Sequence, residues 1–383
     1  MQVVHYKKDV FRAFASFEER ANLQQGQSVV RPYRSTLVVS DYTRGSDATI
    51  QDTTDTNETL TVQSAKIAAF SVDDYDALQS NYKLQQEYAN DAAKALGNEI
   101  DGAVIAEAAA NAGLVVDNSM FGGSAGDPFV LSSANVQSVL FKVNQKLNEN
   151  NIDIDSRFGA MSPQFQNSLQ DYLAGRETID GDKVGMNGYV MTRANLDLMM
   201  TNNTYWTGVL SIATTPTDGD TVIVNGVTFT FKTVLGVTAG NVLIGGSADA
   251  ARLNLGTLIN TPGTTTAQGV ALSAANQALL KRIVTTDDAT ANTLTFAVTG
   301  RSYIVVSETL TDGTDGFSKL TQINVFGKKG CVDVVIQQEP TVKVNPIPKQ
   351  LGVYVLPNTL FGKKAFREGT QSTVAVKIDT TSF

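Results

Sequence analysis

Between Ser71 and Asn111 the sequence runs without a proline, and its apolar residues fall at Tyr75, Leu78, Tyr82, Ala89, Ala93, Leu96, Ile100, Ala103 and Val104. Steps of three, four and seven are the period of one face of an α-helix. Ser71, with Asp74 three residues later, reads as a capping box, and Asp73, Asp74 and Asp76 suit the positive end of the helix dipole. Gly113 suits the other end as a C-cap. The run predicts a helix of roughly 38 residues, about 57 Å at 1.5 Å per residue. Gly97 and Gly102 each weaken it by about 1 kcal/mol and mark where it can bend. That length exceeds the diameter of most single domains, so a helix with one apolar stripe needs an extended neighbour.

The chemistry open to the chain is narrow. With 383 residues, 42% hydrophobic and 18% charged, it is a folded globular protein of two or three domains. The formal net charge of −8 argues against reading nucleic-acid grooves as its main task. One Cys, Cys331, excludes a disulfide framework within the chain and any all-Cys metal site. One His, His5, excludes an HExxH zinc centre and argues against a Ser-His-Asp hydrolase. Charged residues from Lys7 to Arg20 leave no room for an apolar signal core, and no apolar run is long enough for a membrane span.

Five segments follow from composition. Residues 1–34 carry six basic against three acidic residues and one apolar stripe, Val10, Phe11, Phe14 and Phe17, which suits an N-terminal arm that orders against something else. Residues 35–70 read as a projecting hairpin with strands at 36–44 and 59–70 around a polar, acidic tip at 45–58. Residues 71–212 hold the long helix, a second helix at 132–149 (Val136, Val139, Leu140, Val143, Leu147) and a third at 163–173 opened by Pro163. A strand is expected at 188–193. At 213–316 the composition turns to Thr, Gly, Ala and Asn between the polar joints TTPTDGD and TDGTDG. Inside, Asn225-Gly226 sits between two alternating runs, a strong hairpin signal, and a helix follows from Ser247 to about Asn260. This reads as an inserted α+β domain that folds through Val222, Val224, Phe229, Phe231, Leu253, Leu255 and Ile259, and that can be excised. Residues 317–383 return to strands.

No residue set survives as a catalytic, cofactor-binding or metal site. Asp73, Asp74 and Asp76 are explained by the helix terminus. Gly245-Gly246-Ser247 lacks the ending of a phosphate loop and suits a turn with Ser247 as N-cap. Cys331 reads as a buried apolar residue and Trp206 as a core or joint residue. The pairs Lys328-Lys329 and Lys363-Lys364 suit solvated turns or, alternatively, contacts to acidic neighbours in an assembly.

The order of parts resembles the major capsid proteins of tailed bacteriophages, whose Hong-Kong-97-type fold is shared with bacterial encapsulins. TLTVQSAKIAAFSVDDYDALQSN (59–81) is similar to that family's strand from the projecting E-loop towards its spine helix. AAKALGNEIDGAVIAEAA (92–109) is similar to the helix bearing an Ile-Asp pair, here Ile100-Asp101. SRFGAMSPQFQNSL (156–169), GYVMTRANL (188–196) and GVYVLPNTLFGKKAFREGTQSTVAVKID (352–379) resemble its later passages and closing strands. The inserted stretch, with PTDGDTVIVNGVTFTF and GNVLIGGSADAARLNL, looks like a small domain recurring in phage virion proteins. The resemblance implies an α+β tailed-phage capsid fold with N-arm, E-loop hairpin, spine helix, and A and P domains. It implies a non-enzymatic shell subunit without cofactor, assembled from hexamers and pentamers in the host cytoplasm into an icosahedral head around double-stranded DNA. The partners implied are copies of itself and scaffolding, portal and decoration proteins, with DNA touched only non-specifically. The alternatives are an encapsulin-type compartment and a surface-binding, adhesin-like virion protein. Some members of the family join subunits by a Lys–Asn isopeptide bond from the hairpin; residues 45–58 contain no lysine, so no such bond is expected here.

Overall fold

One long strand, Gly316–Lys328, is the hub of the larger of two compact units in the computed structural model. The structure describes residues 9–20, 26–34, 37–47, 50–52, 55–73, 75, 84–176, 192–301, 303–347 and 351–380. The first unit comprises Met1–Phe14, Asn98–Cys331 and Glu368–Phe383; the second comprises Ala15–Gly97 and Val332–Arg367.

In the first unit the hub strand pairs antiparallel with Tyr205–Ser211, Arg157–Met161 and Thr373–Asp379. Beyond these lie Leu196–Met200, parallel to Arg157–Met161, and Leu114–Val116 and Phe129–Val130, parallel to Thr373–Asp379. Helices Val136–Glu149 and Pro163–Ala174 cover this sheet with the stripes their spacing predicts: Val136, Val139, Leu140, Val143 and Leu147 on one, Phe165, Leu169 and Leu173 on the other. Ser162 Oγ accepts from the Phe165 amide at 3.2 Å ahead of Pro163, so the third helix starts where the sequence places it.

The 213–316 stretch builds a second core. Strands Thr221–Val224 and Val227–Lys232 meet at Asn225 (φ 50°) and Gly226 (φ 81°), the left-handed pair a type I′ turn requires. Helix Ala248–Asn260 is capped by Ser247, whose Oγ accepts from the Ala250 amide at 3.2 Å. Val222, Val224, Phe229, Phe231, Leu255 and Ile259 are buried as expected, whereas Leu253 faces solvent on the outer side of the helix. The same cluster takes in Trp206, Leu210 and Ile212, with Phe317 and Leu320 packed on it. Strands Ile283–Asp288 and Thr293–Val298 extend the hub sheet across Tyr205–Ser211. The core of the stretch therefore runs past both of its expected joints.

The long helix is described from Leu84 onward. It spans Leu84–Ala110, 27 residues, about 40 Å at 1.5 Å per residue. Ser71 belongs instead to strand Phe70–Val72 and pairs with Tyr354, so it caps no helix; Asp74, Asp76 and residues 77–83 lie outside the described residues. The pull of a neighbouring strand overrides the local capping signal there. From residue 98 onward the helix is buried nearly all round, through Ile100, Val104, Ile105, Ala106, Ala108 and Ala109. Gly102 is a packing requirement, because a Cβ there would stand 3.1 Å from Gly300 Cα. Gly113 is no C-cap: its amide donates to the Thr370 carbonyl at 2.8 Å and not back into the helix.

The N-terminal stripe orders against its own chain. Val10, Phe11 and Phe14 are buried, and the Phe14 ring stacks on Phe158 at 4.5 Å. Asp101, wholly buried, accepts from the Val10 and Phe11 amides at 2.9 and 2.8 Å and so caps the short helix Phe11–Phe14. Its other oxygen accepts from Asn203 Nδ2 at 2.6 Å. Residues 9–14 are thus core, not a loose arm; residues 1–8, with His5, lie outside the described residues.

In the second unit the strand order is Ser28–Tyr33, Thr56–Ile67, Val353–Lys364 and Asp333–Pro346, with Phe70–Val72 also on Val353–Lys364. A hairpin is present, but its first strand is Ser28–Tyr33 and not 36–44; Ser28 faces Thr61 and Tyr33 faces Thr56. The reason lies in side-chain periodicity. Val29, Arg31 and Tyr33 alternate inward, Val29 and Tyr33 onto Leu60, Val62, Val335 and Phe366. Arg31 pairs with Glu19 at 2.6 Å and Asp333 at 3.4 Å and lies 4.2 Å over the Phe366 ring. Leu37, Val38 and Val39 are apolar in succession, which no one-sided strand can bury. No helix among the described residues is long and apolar enough to cross a membrane.

Among the described glycines the tightest approach sits at Gly369, where a Cβ would fall 1.8 Å from the Cys331 carbonyl oxygen. Gly369→Ala must displace main chain, and overpacking of this kind typically costs about 1–3 kcal/mol or more. Chemical denaturation should show at least that loss, while Gly246→Ala, with open space around it, should cost far less.

Candidate functional site

The residues singled out for chemistry are occupied by structure. Asp73 Oδ1 accepts from the Tyr75 amide at 2.9 Å, a local turn. Gly245, at φ 75°, makes the turn that leads into the helix capped by Ser247. Cys331 is a buried free thiol. Trp206 is buried, and its Nε1 donates to Thr204 Oγ1 and to the Arg301 carbonyl, both at 2.8 Å. Lys328 and Lys329 each meet an acid of the same chain, Asp153 and Asp197, at 2.7 Å, while Lys363 and Lys364 end a strand half-buried. Among the described residues no three His, Cys, Asp or Glu side chains are grouped to hold a metal ion.

One connection among the described residues is exposed and carries apolar side chains. The connection from residue 34 to 55 leaves Val39 96% and Ile50 91% exposed, with Leu37, Val38 and Tyr42 also outward. From residue 37 to 55 its described acids and bases are Asp41, Asp47, Asp52 and Asp55 against Arg44. It is shaped by a side chain, since Gln51 accepts from the Val38 amide at 3.0 Å and donates back to the Val38 carbonyl. An apolar, acidic loop held out in this way gains most free energy by being covered. Sequence periodicity marked this segment as β-prone; that it has no strand partner among the described residues could be learned only from the fold.

A second surface feature closes the 213–316 stretch at its base. Asp315 accepts from the Ala213 and Thr214 amides at 2.7 and 3.0 Å, and Asp312 accepts from Thr214 Oγ1 at 2.8 Å. The Thr314 amide, the Thr314 hydroxyl and the Thr214 hydroxyl hold the Asp312 carboxyl below the usual range. The polar joints read from the sequence are thus a hydrogen-bonded clasp between incoming and outgoing chain.

Solved structures carry the same fold. A structure from Mycobacterium phage Che8 aligns with a TM-score of 0.58 at 14% identity, over 98% of this chain and 93% of that one. The capsid structure of cyanophage P-SCSP1u gives 0.53 at 10% identity, over 100% and 91%. The mature capsid of bacteriophage PhiM1 gives 0.50 at 10% identity, over 100% and 90%. No protein-family model matches the sequence, and no curated protein matches it significantly. The chain is α+β with the fold of phage capsid structures, as the order of its segments implied.

Proposed function

We propose that this chain is the structural subunit of an icosahedral phage head, assembling with copies of itself around double-stranded DNA. The observation that carries the reading is the likeness of the whole fold, end to end, to the P-SCSP1u and PhiM1 capsid structures. A likeness spanning the full chain supports a shell subunit over an adhesin-like protein, in which only one module would match. Hexamers and pentamers are the assembly unit on this reading, and a scaffolding protein, a portal and decoration proteins are its further partners. The exposed 34–55 connection and the unpaired apolar residues on it support association between copies.

Velocity sedimentation of the purified chain, alone and with scaffold from its own virus, should give capsomer rings or closed shells. Monomers alone under both conditions refute the proposal. Shells that hold protein cargo and no DNA when isolated from infected cells would point to a compartment instead. Because residues 45–58 lack lysine, shells boiled in denaturant should run as one band near 40.9 kDa; a ladder of covalent oligomers contradicts this.

A further inference from the structure

Charge on the 213–316 stretch is sorted by position. Its acids are Asp218, Asp220, Asp249, Asp287, Asp288, Glu308, Asp312 and Asp315, and residues 261–286 and 289–307 contain none. Of its cations, Lys232 pairs with Asp218, Arg252 with Asp249 and Asp287, and Arg282 with Glu99. Lys281 and Arg301 have no carboxylate within 4 Å among the described residues, and both lie by the Asn225–Gly226 turn. Arg301 Nη2 donates to the Leu279 and Lys281 carbonyls at 2.6 and 3.0 Å, and Asn225 bonds to Leu279 and Val305. Burial, then the charge of Arg282, pushes the Arg301 guanidinium below its ordinary range. Around this cationic point Tyr303 is 68%, Val305 54% and Leu279 43% exposed.

A surface that sets exposed apolar side chains beside Lys281 and Arg301, neither with a carboxylate within 4 Å among the described residues, fits an acidic partner that offers apolar anchors. The chain itself contains such a segment. Residues 37–55 expose Val39, Tyr42 and Ile50 and carry Asp41, Asp47, Asp52 and Asp55 against one arginine. We infer that the surface formed by Leu279, Lys281, Arg301, Tyr303 and Val305 receives the 37–55 connection of a second copy of this chain. The inference rests on the self-assembly proposed above and adds the receiving surface. Opposite charges at the rim set orientation, and burial of the Tyr303 and Ile50 side chains supplies the free energy.

The test uses assembled particles of the full chain grown as a mixture of isotopically light and heavy subunits. A zero-length carbodiimide reagent joins lysine to carboxylate only in direct contact, and mass spectrometry locates the join. Expected are light–heavy peptides linking Lys281 to Asp41, Asp47, Asp52 or Asp55. Lys281→Glu, an exposed position, should lower the assembled fraction several-fold, and Asp47→Lys with Asp52→Lys in the same chain should restore part of it. Particles that form normally but join Lys281 to no residue of 37–55 overturn the inference and leave self-assembly standing. Wild-type levels of assembly for Lys281→Glu, or a change in DNA content alone, overturn it as well. Failure of the wild-type chain to assemble at all counts against the self-assembly proposal itself.

Discussion

A chain in which residues 212–315 are replaced by an Asn-Gly turn should fail to accumulate as soluble protein. Backbone geometry is no obstacle, since Ser211 already faces Gly316 across an antiparallel pair, so a two-residue turn closes the hairpin. The failure comes from burial. Trp206 and Leu210 are buried in the excised core, and Phe317 and Leu320 pack on it. Exposing Trp206 and Leu210 costs about 1.5–3 kcal/mol each. Against a total stability of about 5–15 kcal/mol, that is a large share. Strand Tyr205–Ser211 also loses Thr293–Val298 and becomes an open, apolar edge. Adding Trp206→Thr, Leu210→Thr and Phe317→Thr should recover soluble protein, and a fragment spanning 205–328 should melt cooperatively by circular dichroism. An excised chain that is soluble with unchanged thermal stability would show that the shared core contributes little.

Removal of residues 1–14 should also unfold the first unit, not merely weaken assembly. Deletion strips Val10, Phe11 and Phe14 from the interior, at about 1.5–3 kcal/mol apiece. It also takes the Val10 and Phe11 amides from the buried Asp101 carboxylate, and loss of such hydrogen bonds to a buried group costs about 1–3 kcal/mol or more. Asp101→Ala isolates part of this loss: it should cost about 1–3 kcal/mol, because two amides and Asn203 lose their acceptor. Denaturant titration followed by tryptophan fluorescence reads both, since Trp206 is the sole Trp. A truncated chain with wild-type unfolding would return residues 9–14 to the status of a loose arm.

These two cases show where sequence legibility ended. Elements set by local periodicity and capping, such as Val136–Glu149, Pro163–Ala174, Ala248–Asn260 and the Asn225-Gly226 hairpin, fall where the residues put them. The order of segments was enough to indicate the fold class. What stayed hidden depends on residues far apart in sequence. Asp101 holds amides ninety positions away, Ser71 follows the pull of Tyr354, and the Val29–Tyr33 strand displaces 36–44 because only it alternates. The core of the 213–316 stretch depends on distant residues in the same way. Its polar joints are real, yet Trp206 and Leu210 belong to its core from outside them. Surface roles were least legible, because exposure of Val39, Ile50 or Tyr303 is a property of the folded chain, not of its composition.

The central claim is that copies of this chain close into a shell, and cryo-electron microscopy of particles purified from infected cells tests it most directly. The account predicts an icosahedral map whose pentameric and hexameric units accept this chain's fold as the repeated subunit, with DNA density inside. A map in which the chain occupies single positions or a tail fibre, or an absence of the chain from the shell layer, would contradict it.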